Sequence, residues 1–454
     1  MARRLEYDVV IVGLGPAGAA LAYFLRNSGL RVAGLDLVDE SRVWSKPCGD
    51  AIGAGYFDSL GLPHPSGDEV KTYVNEARVY APSEEAYISF RGERAGYIID
   101  RRGYGLKLIR EAEKRGVDVY LSTKALHPVI RDGRLEGVRA KRGEEDVEFA
   151  ARVVVDATGA SASIRYKLPK EWPVVDEPEE TDFELAYRRI LELEDEIPDF
   201  DAIRLYFNVE IAPGGYWWFF PEGRNAVNIG LGVQMGKGYP SPLELYEKHL
   251  SRRREVSRVR RVLSDGGAKL PTRRPLKTMV WDNFIAIGDS AYTVNPVHGG
   301  GIGYAMTAAK HAAEAILEAH STGDYSARGL WKLNLLYMRD LGAKQASLDV
   351  YRIFMQTLGN DEIEWAVRKL SSEDLTIALL EGELRLDASL LDKVKIVASL
   401  VGKPRLLAKL VKTAEYARAA KSLYKSYPED PSGLESWSER VESLIRSFKR
   451  EVEA

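Results

Sequence analysis

Residues 7–37 hold the feature that most constrains this chain. A β-branched run, YDVVIV, is followed by GLGPAG, then by AALAYFLRNSG and a second apolar run, LRVAGLDL. A short apolar run bounded by glycine reads as a buried parallel strand. The alanine-rich run reads as a helix that Gly29 stops. Gly13, Gly15 and Gly18 stand in the spacing G-x-G-x-x-G. Gly13 allows the tight turn, Gly15 lets a pyrophosphate approach the backbone, and Gly18 lets helix and strand pack closely. The helix N-terminus attracts phosphate. Asp36, at the tip of the second strand, would accept hydrogen bonds from a ribose. The glycine spacing alone is a weak signal. Strand, helix and acid in this order make it a βαβ dinucleotide-binding unit.

Two later stretches select FAD over a nicotinamide dinucleotide. VVVDATGA (153–160) is a strand ending in a small-residue turn, and FIAIGDSAYTVNPVHGGGIGYAM (284–306) is a strand, an acidic turn and a triple-glycine loop feeding a helix. An acid such as Asp289 suits the ribityl hydroxyls of a flavin, and backbone amides around Gly299–Ile302 suit its ring. A nicotinamide cofactor has no ribityl chain and needs no second contact point of this kind.

The glycine start, the DATG turn and the GDSA segment resemble the p-hydroxybenzoate-hydroxylase-type FAD fold, and within it the geranylgeranyl reductases, which saturate isoprenoid double bonds. KPCGDAIG (46–53) resembles that family's cysteine loop. YWWFFPEGRNAVNIGLG (216–232) fits the family pattern Y-x-W-x-F-P, eight residues, G-x-G, with Tyr216, Trp218, Phe220, Pro221, Gly230 and Gly232 at its fixed positions. The likeness spans about residues 5–320. Carried over position by position, it implies FAD contacts at Ala17, Asp36, Cys48, Gly49, Ala51, Arg101, Ala125, Asp289, Gly301 and Ile302. Arg102 is the alternative to Arg101, and a surface helix cap is the alternative role for either.

The implied architecture is α/β (α+β): a Rossmann-like FAD domain (1–70, 97–165 and 270–325), an inserted antiparallel β-rich substrate domain (71–96 and 166–269), and a helical region (326–454). Short alternating runs at 70–98 and 183–234 carry the inserted sheet. Five consecutive aromatic residues, Tyr216–Phe220, would alternate between its faces, with Tyr216, Trp218 and Phe220 on one side and Trp217 and Phe219 on the other. A strand buried on both sides fits this run; the resemblance favours one face lining an apolar tunnel for an isoprenoid chain.

Saturating an unactivated alkene needs a hydride, which reduced FAD carries, and a proton delivered in a dry pocket. Aromatic faces suit a cation-like transition state. Cys48, the only cysteine, is the leading candidate acid, with packing against the flavin an equal alternative; His298 and Tyr216 follow. No second G-x-G-x-x-G appears for a resident nicotinamide, so an external donor is implied, NAD(P)H or a ferredoxin-like carrier. A lone cysteine excludes a multi-thiolate metal site and a disulfide framework.

Between Lys393 and Lys425 stand nine Lys or Arg and one acid, Glu415. Such a stretch suits an anionic membrane surface or a phosphate head group, and equally a solvated helical face. The net charge of -3 argues against nucleic acid as a partner. With no signal-like or spanning segment, the expected location is cytoplasmic, peripheral to the membrane, with archaeal-type geranylgeranyl ether phospholipids as the favoured substrate. The competing functions are an FAD monooxygenase acting on an aromatic or polyprenyl compound, and a non-enzymatic lipid-binding flavoprotein.

Overall fold

The computed structural model describes residues 3–370 and 403–453. Among these, sixteen strands, numbered in chain order, form two sheets. The first contains β1 (Arg3–Val12), β2 (Val32–Leu35), β6 (Val117–Tyr120), β7 (Thr123–Arg131), β8 (Arg134–Arg142), β9 (Glu145–Asp156), β15 (Val280–Trp281) and β16 (Phe284–Ala286). Its path runs β15-β16-β9-β1-β2-β6, with β7 and β8 as an antiparallel hairpin on β9. β1 lies parallel between β2 and β9, and Val9, Val10 and Ile11 are wholly buried on both faces. That explains a run of β-branched residues without polar alternation.

Helix α1 (Pro16–Leu25) starts with proline in its first turn, where a missing N–H costs nothing. Its small residues pack on α5 (Ile302–Thr322), whose Ala308, Ala309, Ala312 and Ala313 face inward. α3 (Arg101–Glu113) packs on α1 and on β6 of the same sheet, and α2 (Gly55–Leu60) on α5; Asp100 caps α3 by accepting from the Gly103 amide.

The second sheet holds β3 (Ala51–Gly53), β4 (Val70–Tyr80), β5 (Tyr87–Ile99), β10 (Phe183–Leu193), β11 (Ala202–Tyr206), β12 (Trp217–Pro221), β13 (Ala226–Gln234) and β14 (Val259–Pro271), in the order β14-β10-β13-β12-β11-β4-β5-β3. Two features differ from the expected layout. β4 and β11 pair in parallel, so the sheet is mixed, because the chain returns to β4's far edge through the first domain. β3, expected within the FAD segment 1–70, pairs with β5 and so belongs to the second sheet. One face of this sheet carries its own core under α4 (Pro242–Leu245), centred on Trp217 and Phe219. Trp217 stacks on Tyr206 at 3.6 Å, with the Arg253 guanidinium 4.4 Å over its ring.

The remaining elements are helical: α6 (Lys332–Tyr337), α7 (Ala343–Met355), α8 (Asn360–Leu370), α9 (Pro404–Lys425) and α10 (Leu434–Glu453). α7 packs on α9 and α10, and Tyr424, Tyr427 and Trp437 bury their rings at the joint. None of the described helices is long and apolar enough to cross a membrane.

Candidate active site

A cavity of about 1240 Å³ runs between the two sheets. That exceeds the 300–1,000 Å³ usual for one small ligand, leaving room for a dinucleotide and a hydrocarbon chain together. The glycine turn forms its head. A β-carbon on Gly18 would lie 1.8 Å from the Gly13 carbonyl oxygen, and one on Gly13, at φ +94°, 2.5 Å from the Ala157 carbonyl oxygen. These two glycines let backbone meet backbone. At Gly15, by contrast, a β-carbon would meet nothing within 4 Å, because this glycine faces the cavity. The Asp36 carboxylate accepts from the Leu14 and Val38 amides (2.6 and 3.0 Å) at the cavity wall, and burial raises its pKa against those bonds. Arg42, Lys124 and Lys167 line the same end and supply positive charge. An open glycine cradle, a helix N-terminus, an acid at the strand tip and flanking cations fit FAD.

Of the residues assigned to the cofactor from the sequence, Gly13, Gly15, Ala17, Asp36, Cys48, Gly49, Ala51, Arg101, Ala125, Asp289, Gly301 and Ile302 all line this one cavity. Gly18 does not; it packs behind the turn. Arg101 is buried, donates to the Lys46 carbonyl and stands 3.7 Å from Asp50, whereas Arg102 is exposed on α3. Asp289 accepts from Lys46 Nζ at 2.7 Å, joining the cysteine loop to the acidic turn.

The aromatic strand alternates. Trp217 and Phe219 sit in the second core, while Tyr216, Trp218 and Phe220 face the cavity. Trp218, Leu205, Val79 and Ile88 then stand in register across β12, β11, β4 and β5, giving an apolar wall that continues to Tyr351, Phe354 and Trp365 and on to Leu406 and Leu410 of α9. Gly232 lines the cavity; Gly230 and Pro221 do not. A β-carbon at Gly230 would strike the Trp218 ring at 2.6 Å and Arg188 at 2.5 Å, so this glycine makes room for them. The Pro221 carbonyl accepts from Thr72 Oγ1 (2.9 Å).

Cys48, His298 and Tyr216 come together in this cavity. Tyr216 donates its hydroxyl to the His298 carbonyl at 2.6 Å, and burial pushes its phenol well above the ordinary range. His298 Nδ1 accepts from the Gly300 amide (3.1 Å). The ring is exposed to the cavity, and desolvation by the surrounding protein lowers its pKa to about 4, so at neutral pH it is uncharged and its proton sits on Nε2. A neutral imidazole is a poor proton donor.

Four residues here have no counterpart in the sequence reading. Asn228, fully buried on β13, accepts from the Trp218 indole (2.9 Å) and donates to the Cys48 carbonyl (2.8 Å), tying the cysteine loop to the aromatic strand. A lone asparagine inside AVNIGLG was the available signal. Asp50, in a left-handed conformation (φ +60°), lines the cavity, and burial raises its carboxyl to about 6 despite Arg101. Glu184 and Arg188 point inward from β10, which reverses the apparent pattern of FELAYRRI: Leu185 is 37% exposed and Glu184 only 7%.

The basic stretch divides. Its first part, 393–402, lies outside the described residues. Within α9, Lys409 donates to the Val452 carbonyl and Lys412 pairs with Glu415 and Glu451 (3.7 and 3.4 Å), so these two cations are engaged with the helical region.

Residues 6–183 match the FAD binding domain family and residues 182–269 the geranylgeranyl reductase catalytic domain family. The chain is 42% identical to the digeranylgeranylglycerophospholipid reductase of Sulfolobus acidocaldarius, over 99% of this chain and all of that protein. It is 29% identical to the protein of the same name from Methanothrix thermoacetophila, over 84% of this chain and 96% of that one. Among solved structures, a geranylgeranyl bacteriochlorophyll reductase-like protein of Thermoplasma acidophilum superposes with a TM-score of 0.78 at 22% identity, covering 90% of this chain and all of that one. The flavin-dependent brominase Bmp2 (TM-score 0.65, 20% identity, 83% and 94% covered) shares the fold alone. With a cofactor cradle, an inward aromatic face and these matches in hand, the chain belongs to the geranylgeranyl reductase family of FAD-dependent oxidoreductases.

Proposed function

We propose that this protein saturates C=C bonds in the geranylgeranyl chains of archaeal-type ether phospholipids during membrane lipid synthesis. The observation that carries the reading is continuity: the dinucleotide cradle, the cysteine loop and the aromatic face of β12 open into one cavity that continues as an apolar channel. The residues fitted to hold FAD are those of the glycine turn, Asp36, Arg101, Asp289 and the Gly301–Ile302 amides. When bound and reduced, FAD supplies a hydride.

The protein's own groups do the remainder. Trp218, Leu205 and Val79 hold a branched hydrocarbon against the wall and exclude water. The faces of Tyr216, Trp218 and Phe220 stabilise positive charge that develops on the alkene. Asn228 fixes the cysteine loop, so that Cys48 holds a constant position beside the reacting chain. Tyr216, through the His298 carbonyl, steadies the triple-glycine loop. The electrons come from an external donor, a reduced nicotinamide or a ferredoxin-like carrier. The lipid enters from an anionic membrane surface, with α9 at the channel's far end.

The test is anaerobic. Geranylgeranyl phospholipid is added to the dithionite-reduced holoenzyme and the lipid is analysed by mass spectrometry. Flavin reoxidation with a gain of two hydrogens per bond is expected. Reoxidation only after oxygen is admitted would indicate a monooxygenase, and lipid binding without flavin turnover a carrier.

A further inference from the structure

We infer that Glu184 is the acid that protonates the alkene. The inference rests on the reductase reading above and names a group which that reading leaves open. Glu184 projects from β10 into the cavity in line with Ala186 and Arg188. Between the two charged ends the floor is made of small residues: Ala186 stands opposite Gly232 on β13 and Ala268 on β14, and Arg188 opposite Gly230 and Gly266. The Glu184 carboxyl rests on the second glycine of the family pattern; a β-carbon at Gly232 would lie 2.9 Å from its Oε2. That glycine therefore keeps open the space the carboxyl occupies.

The carboxyl has no hydrogen bond or ion pair among the described residues, although its residue is more than nine-tenths buried. The nearby cation does not claim it. All five N–H donors of Arg352 on α7 are taken: Nε and one Nη2 hydrogen by Asp349, the other by Asp182, and the two on Nη1 by the Thr181 carbonyl and Gln356. Asp349 and Asp182, which also pair with Arg274 and Arg273, hold the guanidinium in place; its charge still favours the ionised Glu184, but less than burial opposes it. Tyr216 on β12, whose own titration Glu184 pushes upward, is un-ionised and adds no charge; Gln234 on β13 and Leu270 on β14 stand opposite Glu184 and carry none. Desolvation pushes the carboxyl up to about 7, so near neutrality it holds a transferable proton. Two of the three other candidates hold theirs differently: Tyr216 has its proton committed to the His298 carbonyl, and the His298 ring is neutral.

In the step, the Glu184 O–H bond breaks and its proton forms a C–H bond at one alkene carbon. The other carbon receives the hydride from reduced flavin, which leaves oxidised. The product gains two hydrogens, and the carboxylate that remains takes a proton from water once product leaves.

Three variants of the full chain test this: Glu184→Gln, Glu184→Asp and Gly232→Ala. The first readout needs no turnover. Infrared difference spectra between pH 5 and pH 9 should show an un-ionised carboxyl band in the wild type that titrates near neutrality and is missing in E184Q. The second is single-turnover reoxidation of the reduced holoenzyme by geranylgeranyl lipid. E184Q should slow it by about 10²–10⁴-fold, with FAD uptake and lipid binding unchanged. E184D should recover part of the rate. G232A, which displaces the end of a flexible side chain rather than backbone, should fold and lie between the two. Reoxidation by E184Q within a few-fold of wild type, or no titrating band, overturns the inference. If the wild type itself reduces no geranylgeranyl lipid, the functional reading falls and the inference with it, whereas a slow E184Q beside an active wild type supports both.

Discussion

Replacing Gly15 with alanine separates the cofactor's needs from the fold's. At Gly15 the backbone sits at φ −66° and ψ −167°, which alanine adopts without strain, and the added methyl meets no protein atom within 4 Å. Alanine stiffens the unfolded chain, worth about 0.4–1 kcal/mol, but is a poorer helix N-cap than glycine by roughly 0.5–1 kcal/mol. These offset, so Tm of the apoprotein should move by no more than about 1–2 °C. The methyl points into the cradle where the pyrophosphate must approach. Losing one charge-assisted hydrogen bond there costs about 1.5–3 kcal/mol, or roughly a 10- to 150-fold rise in Kd. Gly18→Ala is the contrast: its methyl would lie 1.8 Å from a backbone oxygen that cannot retreat, and it should destabilise the apoprotein by about 3 kcal/mol. Calorimetry of the apoproteins and titration of FAD by its fluorescence quenching read the two quantities separately. A G15A protein that binds FAD as tightly as wild type, or melts as early as G18A, would refute the assignment of this turn to the pyrophosphate.

Other outcomes follow from the same contacts. Glu184 titrates near 4.5 when unfolded and about 7 when folded, so the folded chain binds the extra proton between those values. Stability from this group is present below about 4.5 and is lost as pH rises through 7, by about 3 kcal/mol; urea unfolding at pH 5 and pH 8 should show this fall in wild type and a smaller one in E184Q, and Asp50 adds a fall in the same direction toward pH 6. Asn228→Ala leaves the Trp218 indole and the Cys48 carbonyl unpaired in a buried place, costing about 2–4 kcal/mol in chemical denaturation. Tyr216→Phe and Cys48→Ala should each lower kcat by less than tenfold, whereas loss of the proton donor costs about 10²–10⁴-fold. Ala77→Phe, in the wall beside Ile203 and Phe90, should shift preference from geranylgeranyl toward farnesyl-length chains in competition assays read by mass spectrometry.

The nucleotide end was readable because local rules govern it: a glycine at φ +94°, a proline in the first helical turn and an acid at a strand tip each leave a mark within thirty residues. The alternating aromatics were readable for the same reason, since a strand's period is two. One face of that run is core and the other faces the cavity. Glu184 was not readable. In FELAYRRI the apolar residues mark one face as inward, yet Leu185 points out and Glu184 in. What decides this is room, provided by glycines about fifty residues away on β13 and visible only once the strand register is known. The parallel β4–β11 pair was hidden likewise, because pairing across 120 residues leaves no local trace.

Among the described residues, the far end of the channel is built by Tyr351, Phe354, Trp365, Leu406 and Leu410, all beyond the two matched family regions, which stop at residue 269. The flavin cradle crosses that limit too, with Asp289, Gly301 and Ile302, while the channel's near wall of Val79, Leu205 and Trp218 lies inside it, so cradle and channel are interleaved along the chain. A change confined to the terminal helices would reshape the channel's far end without touching the glycine cradle.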